Sequence, residues 1–95
     1  MFISNIVRNH QKGMKMTNNE KYERCFMEMF QVSKCELGKL KYQSIQAWDS
    51  VGHMNLMGVI EEEFEIEMEI DDITDFSSFD KGKEILGRYE VNIDE

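Results

Sequence analysis

The first sustained hydrophobic period opens after residue 17. Tyr22, Cys25, Phe26, Met29 and Phe30 fall at i, i+3, i+4, i+7 and i+8, with Glu23, Arg24 and Glu28 on the other faces. That is the stripe of an amphipathic helix. Thr17 and Glu20 have the spacing of a capping box, in which each side chain satisfies the other residue's backbone N–H, so a first helix is predicted over residues 18–31. Residues 32–47 hold no sustained period and include Gly38. They predict a long loop anchored by Leu37, Leu40 and Ile45, and loops beyond about 12–15 residues are uncommon unless they serve a function. Asp49 or Ser50 is placed to cap a second helix. Along it Val51, Met54, Met57 and Phe64 join Leu56, Val59 and Ile60 in a wide apolar face that ends near Glu63 or Phe64.

Residues 65–69 alternate acidic and apolar side chains, the period of a strand. A lone short strand is not stable, so an extended connection is predicted, followed by a helical turn over 71–75. Ser77 or Ser78 caps a last helix, with Phe79, Ile85, Leu86 and Tyr89 facing inward and Gly82 and Gly87 weakening it. Three longer helices and a short one predict an all-α fold, a small antiparallel four-helix bundle with a long loop between helices one and two. Residues 1–16 are polar and aperiodic, with Met14 and Met16 among them, and predict a poorly ordered leader or alternative-start segment. The folded domain is expected over 17–95.

The chain has 95 residues, the length of one domain with a modest core and little room for a large catalytic cavity. Its net charge of −8 argues against nucleic acid and anionic membrane surfaces as partners, and no apolar run is long enough to span a bilayer. The charge is unevenly spread: residues 1–48 balance at +4 and residues 49–95 at −12, and no base falls between Glu61 and Asp75. Because Phe64, Ile66, Met68, Ile70 and Ile73 interleave these acids, the block predicts the acidic skin of a folded element. Such a skin steers a partner with a basic patch toward it. Cys25 and Cys35 allow one bridge at most, and the start of the chain has no secretory pattern, so a reduced, cytoplasmic protein is expected. With His10 and His53 they lack the C-x-x-C or H-x-x-x-H spacing of a metal site, and Asp71, Asp72 and Asp75 lack that of a calcium loop, so no metal is expected.

The segment Trp48-Asp49-Ser50-Val51-Gly52-His53-Met54-Asn55-Leu56-Met57, followed by Ile60-Glu61-Glu62-Glu63-Phe64, resembles the acyl carrier protein family. These are small helical carriers of thioesters on a phosphopantetheine arm. In that family an Asp-Ser-Leu-type motif opens the second helix and an acidic triplet plus Phe closes it. Asp49-Ser50-Val51 and Glu61-Glu62-Glu63-Phe64 stand in those places, and Glu65-Ile66-Glu67 and Asp71-Asp72-Ile73 follow the pattern, so the likeness covers residues 17–90. It implies a stand-alone, non-enzymatic acyl carrier with 4'-phosphopantetheine, drawn from coenzyme A, attached to Ser50. Asp49 is then the recognition residue for the phosphopantetheinyl transferase. Met54, Asn55, Gly58, Glu61 and Glu62 line the side of the second helix that meets partners. The partners implied are that transferase, an acyl- or aminoacyl-loading ligase and downstream acyltransferases with basic docking patches, and the carrier is expected to be a monomer.

The residues support this chemically. A serine at a helix start lies beside unpaired N–H groups and the positive end of the helix dipole, where the anionic charge of a phosphodiester is favoured. No acid is in evidence to orient His53 as a base for Ser50, so the serine reads as an acceptor modified by another enzyme. Asp and Ser before a helix are also ordinary N-caps, and the two roles are compatible. Trp48 is expected as a half-buried anchor of the loop. Several methionines, Met27, Met29, Met54, Met57 and Met68, give a core that repacks easily around an acyl chain.

Fatty-acid, lipid or polyketide metabolism is the broad setting the resemblance implies. Val51 and Asn55 depart from the leucine and the acid usual in fatty-acid carriers, which points toward stand-alone carriers of specialised pathways. Surface polysaccharide modification, secondary metabolism and aminoacyl transfer similar to that of D-alanyl carriers are the alternatives. A rival of a different class is an acidic helical adaptor with no prosthetic group.

Overall fold

A computed structural model describes residues 16–93. The expectation of a leader over residues 1–16 therefore lies, but for Met16, outside the described residues. Helix α1 (Asn18–Phe30) opens on the predicted capping box: the Glu20 N–H donates to Thr17 Oγ1 at 3.1 Å and the Thr17 N–H to Glu20 Oε1 at 3.0 Å. It closes on Gln31, a left-handed residue whose N–H returns to the Met27 carbonyl. Tyr22, Cys25, Phe26 and Phe30 are its buried stripe, while Met29 is only partly covered.

The stretch predicted as one loop contains a 3-10 helix (Lys34–Lys39), at whose start Glu36 Oε1 accepts from the Ser33 N–H at 2.9 Å. Ser33 and Glu36 have the same spacing as Thr17 and Glu20, which is the signal for this extra element. Leu37 and Leu40 are buried and Ile45 partly so, as expected. Beyond Leu40 the chain pairs with the approach to the last helix. Phe79 N–H donates to Leu40 O at 3.0 Å, Tyr42 N–H donates to Ser77 O at 2.8 Å, and Lys41 and Ser78 form a single antiparallel bridge.

Helix α2 (Ser50–Phe64) is capped by Asp49 and ends in left-handed Glu65. Residues 65–69 form no strand and lead into α3 (Ile70–Asp75), which starts one residue earlier than predicted. Helix α4 (Phe79–Gly87) takes Ser78 as its cap, whose Oγ accepts from the Lys81 N–H at 2.9 Å. After it Val91 and Ile93 fold back into the core, and Asn18 Nδ2 donates to Asn92 O. Four α-helices and one 3-10 helix, with no strand among the described residues, make a small all-α fold.

Phe26 is the hub of the core. Its ring lies 4.9–6.3 Å from those of Tyr22, Phe30, Trp48, Phe76 and Phe79, drawn from α1, the loop, the residue after α3 and the start of α4. Such pairs contribute about 0.5–1.5 kcal/mol each beyond the area they bury.

Two expectations are corrected and a third is extended. Val51 and Met54 lie outside the apolar face of α2, at 69% and 55% exposed. The buried positions are Leu56, Met57 and Ile60, and at about 100° per residue Val51 falls roughly half a turn away from them. Trp48 is fully buried, because its ring sits against Phe26 and Phe30 within the aromatic core. Gly82 is a requirement of the packing as well as a poor helix former. A Cβ there would stand 2.1 Å from Tyr22 Oη and 2.3 Å from Phe76 Cζ.

Candidate functional site

The loop from Tyr42 to Trp48 folds over the start of α2 and defines the surroundings of Ser50. Gln43, in the left-handed region at φ 69°, donates its N–H to the Trp48 carbonyl at 2.9 Å and closes the turn. The turn then passes so near the helix that a Cβ on residue 52 would lie 2.0 Å from the Ala47 carbonyl oxygen, which explains the glycine there. Asp49 Oδ1 accepts from the Gly52 N–H at 2.8 Å. The expected choice of cap thus resolves to Asp49, and Ser50 is the first residue of the helix. The N–H groups of Ser50 and Val51 have no partner within the helix, as at every helix start.

Ser50 is exposed, and its Oγ lies 3.0 Å from the hydroxyl of Tyr42. Sequence reasoning missed this neighbour, since an apolar–polar pattern carries no signal for a contact made by a turn. His53, three residues on, is half-buried between three rings: Tyr42 at 5.3 Å, and Trp48 and Phe76 both at 6.2 Å. Its Nδ1 accepts from the indole N–H of Trp48 at 2.9 Å, and its Nε2 lies 2.8 Å from the carbonyl of Ile73. An indole nitrogen only donates, so Nδ1 is the lone-pair nitrogen and Nε2 carries the proton to Ile73. Both ring nitrogens are thereby used in joining the loop, α2 and α3, and neither is left to draw a proton from Ser50.

The exposed face of α2 carries Val51, Met54, Asn55, Gly58 and Glu62. Nothing stands within 4 Å of a Cβ position at Gly58, so the face is unobstructed there. Glu61, expected on this face, is half-buried and turned toward the following connection, where Oε2 accepts from the Met68 N–H at 2.8 Å. Ile70, at the start of α3, is a further exposed apolar residue at 73%.

Within the acidic stretch, Asp72 is taken up by Arg88 and the Tyr89 hydroxyl, while Glu62, Glu65, Glu67, Glu69, Asp71 and Asp75 are exposed. The hydrogen bond to Asp72 holds the Tyr89 phenol above its usual value, with partial burial adding to it. Tyr89 in turn accepts from the Glu69 N–H at 2.8 Å, which ties the acidic connection to the end of α4.

Cys25 is buried, Cys35 is exposed, and both are free thiols. Burial, with Glu63 and Glu28 adding to it, pushes the Cys25 thiol up to about 12. Among the described residues no group of three or more His, Cys, Asp and Glu side chains is placed to hold a metal ion, and no helix is long and apolar enough to cross a membrane.

The residues around Ser50 fit a phosphodiester. The hydroxyl is accessible, the helix start offers N–H groups and positive potential, α2 has no acid in its first turn, and Tyr42 adds a hydroxyl. Comparison of the chain with protein-family models, with curated proteins and with solved structures finds no match.

Proposed function

We propose that this chain is a stand-alone carrier protein, a four-helix bundle bearing 4'-phosphopantetheine on Ser50. The observation behind the reading is the state of that serine. It is exposed at the first position of a capped helix, beside open N–H groups, while the nearby histidine has both nitrogens engaged elsewhere. A serine so placed is suited to be an acceptor and lacks a base of its own. The group supplies a terminal thiol for thioester chemistry when attached. The protein's own residues position Ser50, hold its phosphate end at the helix start and offer a face to partners.

Asp49 serves as cap and as recognition residue for the transferase. Met54, Asn55, Gly58 and Glu62, with Val51, form the docking face, and the exposed acids after α2 attract partners with basic patches. Glu61 shapes the edge of that face through Met68. The protein acts in the cytoplasm as a monomer, passes acyl or aminoacyl groups between a loading ligase and acyltransferases, and catalyses no step itself.

The test is intact mass after incubation with coenzyme A, magnesium and a broad-specificity phosphopantetheinyl transferase, with Ser50→Ala alongside. The expected result is a gain of one phosphopantetheine by the natural chain and none by the variant. A folded chain that takes no group overturns the carrier reading and favours the acidic adaptor, for which the exposed face of α2 serves equally well.

A further inference from the structure

Tyr42 is more firmly held than a surface tyrosine needs to be. Its N–H is bonded to Ser77 O, the next N–H closes the turn onto Trp48, and its ring meets His53 edge to face, with an interplanar angle of 69°. His53 is itself fixed at both nitrogens. All this restraint delivers one hydroxyl to a point 3.0 Å from Ser50 Oγ, on a residue still 37% exposed. The fold does not need that hydroxyl, since the ring contact and the backbone bonds would survive its removal.

The geometry points to Tyr42 as a positioning residue for the modification of Ser50, and as the side-chain donor to the phosphodiester that results. This rests on the reading of Ser50 as the acceptor. Either hydroxyl can donate across the 3.0 Å contact, and in the arrangement proposed for the state before transfer the Ser50 O–H donates to the Tyr42 oxygen. The contact selects one rotamer of a side chain that otherwise samples three, and it leaves the lone pairs of Oγ directed to solvent. In the transfer itself, Ser50 Oγ bonds to the coenzyme A phosphorus that bears the pantetheine. The bond from that phosphorus to the oxygen of adenosine 3',5'-bisphosphate breaks, and the serine proton passes to a base of the transferase. Ser50 then has no proton to donate. Tyr42 reverses its role and donates its own O–H to an anionic phosphate oxygen, a charge-assisted bond stronger than the one it replaces.

The experiment compares the natural chain with Tyr42→Phe, which keeps the ring against His53, in the same transferase assay. Circular dichroism and the denaturation midpoint establish that both are folded. The expected result is a fall in kcat of about fivefold to tenfold, the worth of one neutral hydrogen bond, with KM for the carrier little changed. A second readout needs no turnover: the 31P resonance of the modified Tyr42→Phe chain is expected to shift and narrow relative to the modified natural chain. Equal kcat and matching 31P spectra would overturn the role of Tyr42 and leave Ser50 as the acceptor. Failure of the natural chain itself to take the group removes both.

Discussion

The indole N–H of Trp48 and Nδ1 of His53 are joined by a 2.9 Å hydrogen bond across the start of α2. The indole is fully buried, so it has no water to turn to if the acceptor is lost. The same imidazole serves the Ile73 carbonyl through its other nitrogen. His53→Leu, close in volume, is therefore expected to strand two groups and cost about 1–3 kcal/mol of stability. His53→Gln, which can accept and donate, recovers part of the loss. Urea denaturation reads both, and a His53→Leu chain within about 0.5 kcal/mol of the natural one would show that the bond contributes little.

Two glycines predict opposite outcomes. Gly82→Ala forces a methyl group against Tyr22 Oη and Phe76, and disturbs the 2.7 Å bond from Tyr22 Oη to the Phe79 carbonyl. A loss of about 1–3 kcal/mol is expected. Gly58→Ala meets nothing within 4 Å and lies mid-helix, so it should stabilise by about 0.5–1 kcal/mol. Midpoints that move in the same direction for both variants would contradict the packing described here.

Alkaline pH is expected to weaken the fold through Cys25. Its folded value of about 12 stands above the unfolded 9.0, so between those values the unfolded chain releases a proton that the folded chain keeps. The folded state then binds more protons, and stability falls as pH rises through that window, at up to about 1.4 kcal/mol per pH unit. Tyr22, also raised by burial, adds to the fall above its ordinary 10.0. Cys25→Ala should flatten the decline between pH 9 and 10, and iodoacetamide should label Cys35 in the folded chain while sparing Cys25. Equal pH profiles for the two chains would refute this account.

Neighbouring glutamates on α2 should separate stability from recognition. Glu61→Ala removes the acceptor for the Met68 N–H and is expected to cost about 1–2 kcal/mol, with half-exposure to solvent moderating the loss. Glu62 is exposed, and Glu62→Gln should leave stability within about 0.5 kcal/mol. Under the proposed function it raises KM for a basic transferase, by less at high salt than at low. An unchanged KM at low salt would remove Glu62 from the docking face.

Much of the local structure was legible because it rests on local chemistry. The Thr17–Glu20 box, the caps narrowed to Asp49 or Ser50 and to Ser77 or Ser78, and the stripe of α1 depend on residues a few positions apart. Residues 65–69 were read as non-strand because nothing could pair with them. What escaped was set by partners distant in sequence. Val51 and Met54 read as core because they are apolar, yet which side of α2 is covered depends on where α1 lies. Trp48 is buried by Phe26 and Phe30, and Val91 and Ile93 by a return of the chain after α4. At the site, the exposed Ser50 at the helix start was legible, while the choice between Asp49 and Ser50 as cap needed the structure. The Tyr42 contact was not, since it needs a left-handed Gln43 and pairing of residues 40–42 with residues 77–79.

That last pairing bears on the order of events during synthesis. The Leu40 carbonyl and the Tyr42 N–H find their backbone partners in Phe79 and Ser77, so the pairing that fixes Tyr42 beside Ser50 waits for the start of α4 to emerge. A nascent chain that has already exposed Ser50 can close the turn through the Gln43–Trp48 bond but lacks the pairing that fixes Tyr42. The surroundings of Ser50 are thus complete only once α4 has docked.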